Sequence, residues 1–223
     1  MPYIVSVNIS RKRAIALQGR NTYTGIYKIP VTSPVVVGTL GLHGDEQADL
    51  KHHGGPEKAV YAYPLEHYPF WSEFLGVRDL PYGSLGENLT TRGLTEEEVC
   101  IGDVYQVGTA RLSVTQPRVP CAKLARRWNR PDLPKEFLNS GRCGFYLRVL
   151  RGGVLYPGAP IVHLSRPEHT VTIAELHRLW HSTQKEPARL AYAVETPGLS
   201  RAWREDIRDY LVRVGYVSAT TGD

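Results

Sequence analysis

Up to about residue 165 the chain consists of short β-prone runs cut by Gly and Pro, and this punctuation most limits what it can fold into. "IVSVNIS" (4–10), "TGIYKIPV" (24–31) and "PVVVGTLGL" (34–42) read as strands, being rich in Val and Ile. "DVYQVGTARLSVTQ" (103–116) predicts a hairpin turning at Gly108-Thr109. "GFYLRVLRGGVLY" (144–156) predicts another, turning at Gly152-Gly153. Regular short strands joined by such turns imply a mainly β fold, a barrel or folded sheet. Helices enter as insertions. "LEHYPFWSEFLG" (65–76) covers one, with Pro69 either interrupting it or marking its first turn, and "PCAKLARRWN" (120–129) covers another.

After Arg166-Pro167 the texture changes. "TIAELHRLWH" opens with Thr172 and Glu175 at capping-box spacing, "KEPARLAYAVE" places Pro187 in a first turn, and "SRAWREDIRDYLVRVG" offers Ser200 as N-cap and Gly215 as stop. The expected division is a β-rich domain over 1–165, a three-helix segment over 166–216 and a tail over 217–223. His177 and His181 lie four apart on one helix. "HRLWH" lacks the Glu of the zinc-protease motif, so both read as surface residues.

Composition narrows the function. No run reaches the roughly 18 apolar residues of a membrane helix. The N-terminus lacks the basic head and long apolar stretch of a signal peptide, so a cytoplasmic protein is expected. Cys100, Cys121 and Cys143 form no C-x-x-C pair, which argues against a disulfide framework or a zinc knuckle. Of the net charge of +5, residues 166–216 hold eight Lys/Arg against seven Asp/Glu, so the basic excess lies in 1–165. Such an excess suits an anionic small molecule, and the lack of a dense Lys/Arg run argues against nucleic acid.

Three stretches carry candidate chemistry. In "QPRVPCAKL" (116–124), Cys121 follows Pro120 and lies between Arg118 and Lys123. A start-of-helix position and two cations lower a thiol's pKa, which favours the thiolate that attacks carbon or binds metal. Inward packing, the common fate of a free cysteine, is the equal alternative on these residues alone. In "DLKHHGGPEKAV", His53 is the candidate base, because Gly54 and Gly55 allow close approach to a ligand. In "GSLGENLTTRG", Glu87 and Asn88 beside glycines can orient a polar ligand.

Taken in order, "GDEQADLKHHGGPEKAVYAYPLEHY", "GENLT" and "QPRVPCAKL" resemble the MOSC domain of the YiiM-type subfamily over about residues 1–165. The helical tail is similar to the three-helix segment often found after it. The resemblance implies a barrel-like, β-rich module that binds the molybdenum cofactor (molybdopterin), with Cys121 as molybdenum ligand. His53, Gly54, Gly55, Glu87 and Asn88 are then site residues, with Arg118 and Lys123 close enough to meet the cofactor phosphate. It further implies reduction of N-hydroxylated bases such as 6-hydroxylaminopurine, with electrons from a separate flavin-containing reductase. Two rivals stay open here. One is a sulfur carrier using a Cys121 persulfide, loaded by a partner because no pyridoxal-phosphate domain is present. The other is a non-enzymatic binding module with the helical tail as its interaction surface.

Overall fold

The computed structural model describes residues 1–50 and 54–216. The strands are β1 (Tyr3–Ile9), β2 (Arg13–Leu17), β3 (Arg20–Thr24), β4 (Ile29–Val31), β5 (Val35–Gly38), β6 (Gly41–Leu42), β7 (Val60–Pro64), β8 (Leu89–Arg92), β9 (Val104–Val107), β10 (Ala110–Pro117), β11 (Phe145–Arg151), β12 (Gly153–Leu155) and β13 (Ile161–Ser165). The helices are α1 (Tyr68–Leu75), α2 (Ala122–Trp128), α3 (Leu133–Ser140), α4 (Ile173–His181), α5 (Pro187–Val194) and α6 (Arg201–Arg213). Eight strands form one sheet in the order β13-β9-β10-β11-β7-β8-β1-β4; β12-β5-β6 and the hairpin β2-β3 form two small sheets.

The expected barrel does not close. β13 and β4 are the free edges of the large sheet, which makes the fold a mixed, sheet-dominated one with several helices. Backbone bonds from Ile4 to Ala159 and from Ile161 to Pro2, both 2.9 Å, bring the first strand against the start of β13 at an isolated Tyr3–Pro160 bridge, without building a ladder. β7 and β8 run parallel, and the crossover between them carries α1. Pro69 occupies the first turn of α1 rather than interrupting it.

Both hairpin expectations can be checked against pairing. β9 and β10 do turn at Gly108-Thr109. The Gly152-Gly153 expectation is corrected: β12 leaves β11 and pairs with β5 in another sheet. A Cβ on Gly153 would stand 2.5 Å from the Ala110 nitrogen, so glycine is there for close crossing of two sheets.

One apolar core runs through sheet and helices alike. Trp71 of α1 stacks on Phe137 of α3 with centroids 4.9 Å apart, and both are fully buried. Truncating such an aromatic to Ala costs about 3–5 kcal/mol. Trp203, Ile207 and Leu211 form the buried stripe of α6 at i, i+4 and i+8. The Thr172 hydroxyl accepts from the Glu175 nitrogen at 3.0 Å and Ser200 accepts from Trp203 at 3.4 Å, capping α4 and α6.

Candidate active site

A transverse row of the large sheet forms the base of the main cleft. Gln116 pairs with Tyr146, Tyr146 pairs with Tyr61, and Tyr61 exchanges backbone and side-chain bonds with Asn88. On the far side the Asn8 N–H donates to the Asn88 carbonyl at 2.7 Å. The loop 45–49, Lys28 just before β4, and the β10–α2 turn rise around this row. The cleft is lined by Lys28, Asp45, Tyr61, Arg118, Cys121 and Lys123 among others.

Cys121 stands at the cleft as the N-cap of α2 in an extended conformation, one residue before the first helical turn rather than inside it. The residue is partly exposed, whereas Cys100 and Cys143 are buried. It lies close enough to Arg118 and Tyr146 to act electrostatically on both. Burial raises the Cys143 thiol well above the ordinary range, which suits packing and not reactivity. Of the three thiols, only Cys121 faces a cavity with cations around it.

Arg118 follows directly after β10 and is 3% exposed. Its guanidinium lies over the rings of Tyr61 (5.3 Å) and Phe137 (4.9 Å), and its Nη1 has no hydrogen-bond partner. Lys28 places its ammonium 2.6 Å from both oxygens of Asp45. Burial pulls the Lys28 pKa below the lysine range, and Asp45 pushes back against it. Lys58 is lowered by burial as well. Burial pushes Tyr146 up to about 12 and Tyr61 higher still, so both phenols stay neutral.

The other expected site residues fall differently. His53 lies outside the described residues. Gly54 and Gly55 do not line the cleft but back onto Gln47, which does. Gly55 donates to Gln47 Oε1 at 2.8 Å, and a Cβ on Gly54 would stand 2.6 Å from the same oxygen. Glu87 meets its hydrogen-bond donors within the protein. It is fully buried, and its carboxylate accepts from the Tyr68 hydroxyl, Gly83 (2.8 Å), Leu85 (3.0 Å) and Thr90 (3.0 Å). Asn88 does line the cleft, with its amide donating to Asp45 Oδ2 at 2.9 Å and to the Asn8 carbonyl at 3.3 Å. His177 is corrected: it is 3% exposed, not a surface residue.

Lys28, Asp45, Tyr61 and Tyr146 escaped the sequence reading. Only the "GDEQAD" and "GIYKIP" segments hinted at the first two, as charges set among strand residues. The residues present suit a molybdenum-bearing pterin phosphate. They offer a soft sulfur donor, a buried guanidinium with an orphan N–H, and lysines on two sides.

Comparison with known proteins agrees with this architecture. The MOSC domain model matches residues 49–162, and the chain belongs to the MOSC domain family. Within it the chain is similar to YiiM. It is 37% identical to Protein YiiM of Escherichia coli over 81% of each chain. It superposes on the crystal structure of YiiM from Geobacillus stearothermophilus with a TM-score of 0.81 at 39% identity, covering 95% of this chain and all of that one. It is also 41% identical to the uncharacterized protein YflK of Bacillus subtilis over 90% of each chain. A protein named "Reductase" from Gibberella moniliformis shares 36% identity across 87% of this chain, which spans 35% of that longer one.

Proposed function

We propose that this protein holds the molybdenum cofactor in the cleft around Cys121 and reduces N-hydroxylated compounds such as 6-hydroxylaminopurine, with electrons from a separate flavin-containing reductase. The observation that carries the reading is the orphan Nη1 of buried Arg118 beside the Cys121 thiol. A buried donor without a partner costs about 1–3 kcal/mol, and an anionic group in the cleft removes that penalty.

Arg118 and Lys123 would hold the phosphate, with Lys58 adding positive potential. Cys121 would hold the metal through sulfur. The bound cofactor supplies the two-electron chemistry that no side chain of this protein can supply. The overall reaction adds two electrons and two protons across the N–O bond and releases the amine and water. Tyr61 and Tyr146, kept neutral by burial, form an uncharged base on which the ligand's planar part can rest. Asn88 fixes Asp45, and Asp45 fixes the Lys28 ammonium at the wall. The name "Reductase" of the fungal relative, of which this chain spans about a third, supports a reductive activity. A reducing cytoplasm, where the partly exposed Cys121 stays a thiol, belongs to the same reading.

The deciding measurement is metal and pterin analysis of protein expressed in a cofactor-competent host. Molybdenum near one equivalent, lost in Cys121→Ser, is expected. Metal-free protein carrying sulfane sulfur on Cys121 would instead favour sulfur transfer.

A further inference from the structure

A second cavity opens on the far side of Glu96, between the loop 95–97, the end of α3 and one face of α4. Nothing in the proposed reaction uses it. Both histidines of "HRLWH" line it, one turn apart on α4. The His177 ring is 97% buried yet its Nε2 has no hydrogen-bond partner, and the Nε2 of half-buried His181 is also enclosed and unpartnered. Two enclosed imidazole nitrogens without partners, side by side, call for an occupant that both can bind at once.

We propose that His177 and His181 form a two-imidazole site for a divalent first-row transition ion, with Zn²⁺ as the working case. Their ring centroids are 4.6 Å apart at an interplanar angle of 49°. Two imidazoles that ligate one ion at about 2.0–2.1 Å in a tetrahedral arrangement place their centroids roughly 5 Å apart, and the observed separation is close to that. Spacing of i and i+4 on a helix is what lets two histidines share one ion. Glu96 lines the same cavity, held by the His67 ring at 2.6 Å and the Gly144 nitrogen at 2.6 Å. Its charge acts on His177, which favours a cation there.

Among the described residues no group of three or more His, Cys, Asp and Glu side chains is arranged to hold a metal. The site therefore offers two protein ligands and leaves the remaining positions to water or a small molecule. This open arrangement exchanges its ion, unlike a closed structural site. A borderline-soft ion suits imidazole donors better than calcium or magnesium does.

The test is a Zn²⁺ titration of the full chain by calorimetry, repeated with His181→Gln, His177→Gln and Cys121→Ser. One saturable event is expected. It should weaken by about tenfold or more in either histidine variant, since each removes one of two chelating nitrogens, and should persist in Cys121→Ser. No saturable binding, or unchanged affinity in folded His181→Gln, overturns the proposal. Loss of binding in Cys121→Ser overturns it as well, by moving the ion to the main cleft. His181 is half-buried, so its variant decides the matter even where His177→Gln fails to fold.

Discussion

The Lys28 ammonium sits 2.6 Å from both carboxylate oxygens of Asp45, inside the wall of the cleft and nearly out of solvent. The two residues come from separate loops, and Asn88 ties the pair to the row across the sheet through its 2.9 Å bond to Asp45. Removing one partner leaves a charge buried without its counter-ion. Asp45→Asn should therefore destabilise by about 3–5 kcal/mol in urea denaturation. The paired change Lys28→Met with Asp45→Leu should recover only part of that loss, because it removes the buried charge but leaves the Ser10 N–H and the Asn88 amide without their acceptor. The same double variant leaves the net charge of the wall unchanged, but it should retain less cofactor per folded molecule because the Lys28 ammonium is lost as a donor there. Full retention would show that Lys28 is structural only.

Glu87 gives a second separation. Four donors converge on its carboxylate, two of them backbone N–H groups of the 83–85 turn. In Glu87→Gln one oxygen becomes an NH₂ that faces donors, so at least one buried hydrogen bond turns repulsive. A loss of about 2–3 kcal/mol in stability is expected, by analogy with other buried bonds to charged groups. Cofactor content per folded molecule should stay level. A stable variant that fails to retain cofactor would return Glu87 to the binding machinery.

Stability should also depend on pH through α4. Burial, assisted by neighbouring His181, pulls the His177 pKa from 6.5 to about 4, and burial lowers His181 too. Because the folded value lies below the unfolded one, the unfolded chain binds more protons between the two. Stability is therefore full above pH 6.5 and declines as pH falls toward 4, with up to about 3 kcal/mol from His177 alone. Denaturation midpoints in metal-free buffer from pH 7.5 to 4 would measure the slope. His177→Met removes the titrating group at similar volume and should flatten it; an unchanged slope would assign the effect to other groups.

These residues also show what was legible in advance. The caps of α4 and α6 could be read directly, because a Ser or Thr oxygen meets an N–H three residues on and needs no distant partner. The β9-β10 hairpin was legible for the same reason. The β2-β3 hairpin was not, since its strands are largely exposed and each opens with Arg, which hides the apolar alternation. α3 was missed between Pro131 and Gly141, although Leu133 and Phe137 mark its buried face. Cys121 stood out through its neighbours in the chain. Glu87 takes bonds from Gly83, Leu85 and Thr90 close by in the chain, but the fourth donor, Tyr68, lies 19 residues away, and no local pattern reveals it. His177 misled because "HRLWH" looks polar, while Ile173, Leu176 and Leu179 carry the same helix face into the core.

The cations flanking Cys121 should not contribute equally. Arg118 is buried and held over Tyr61 and Phe137, whereas Lys123 is half-exposed at the rim. A charge-assisted bond made out of solvent contributes about 1.5–3 kcal/mol, and a rim charge in water contributes about 0–1 kcal/mol. Arg118→Gln should lower cofactor affinity by about one to two decades, and Lys123→Gln by less than about fivefold. Arg118→Lys should rescue only in part, since a point charge on a flexible stem does not reproduce the planar fork against two rings. The check is cofactor content per folded molecule across a dialysis series, with melting temperature recorded alongside. Equal losses for Arg118→Gln and Lys123→Gln would mean that net charge, and not the orphan guanidinium nitrogen, governs the cleft. A sharp fall in melting temperature for Arg118→Gln with unchanged cofactor content would make Arg118 a packing residue of the Tyr61–Phe137 cluster instead.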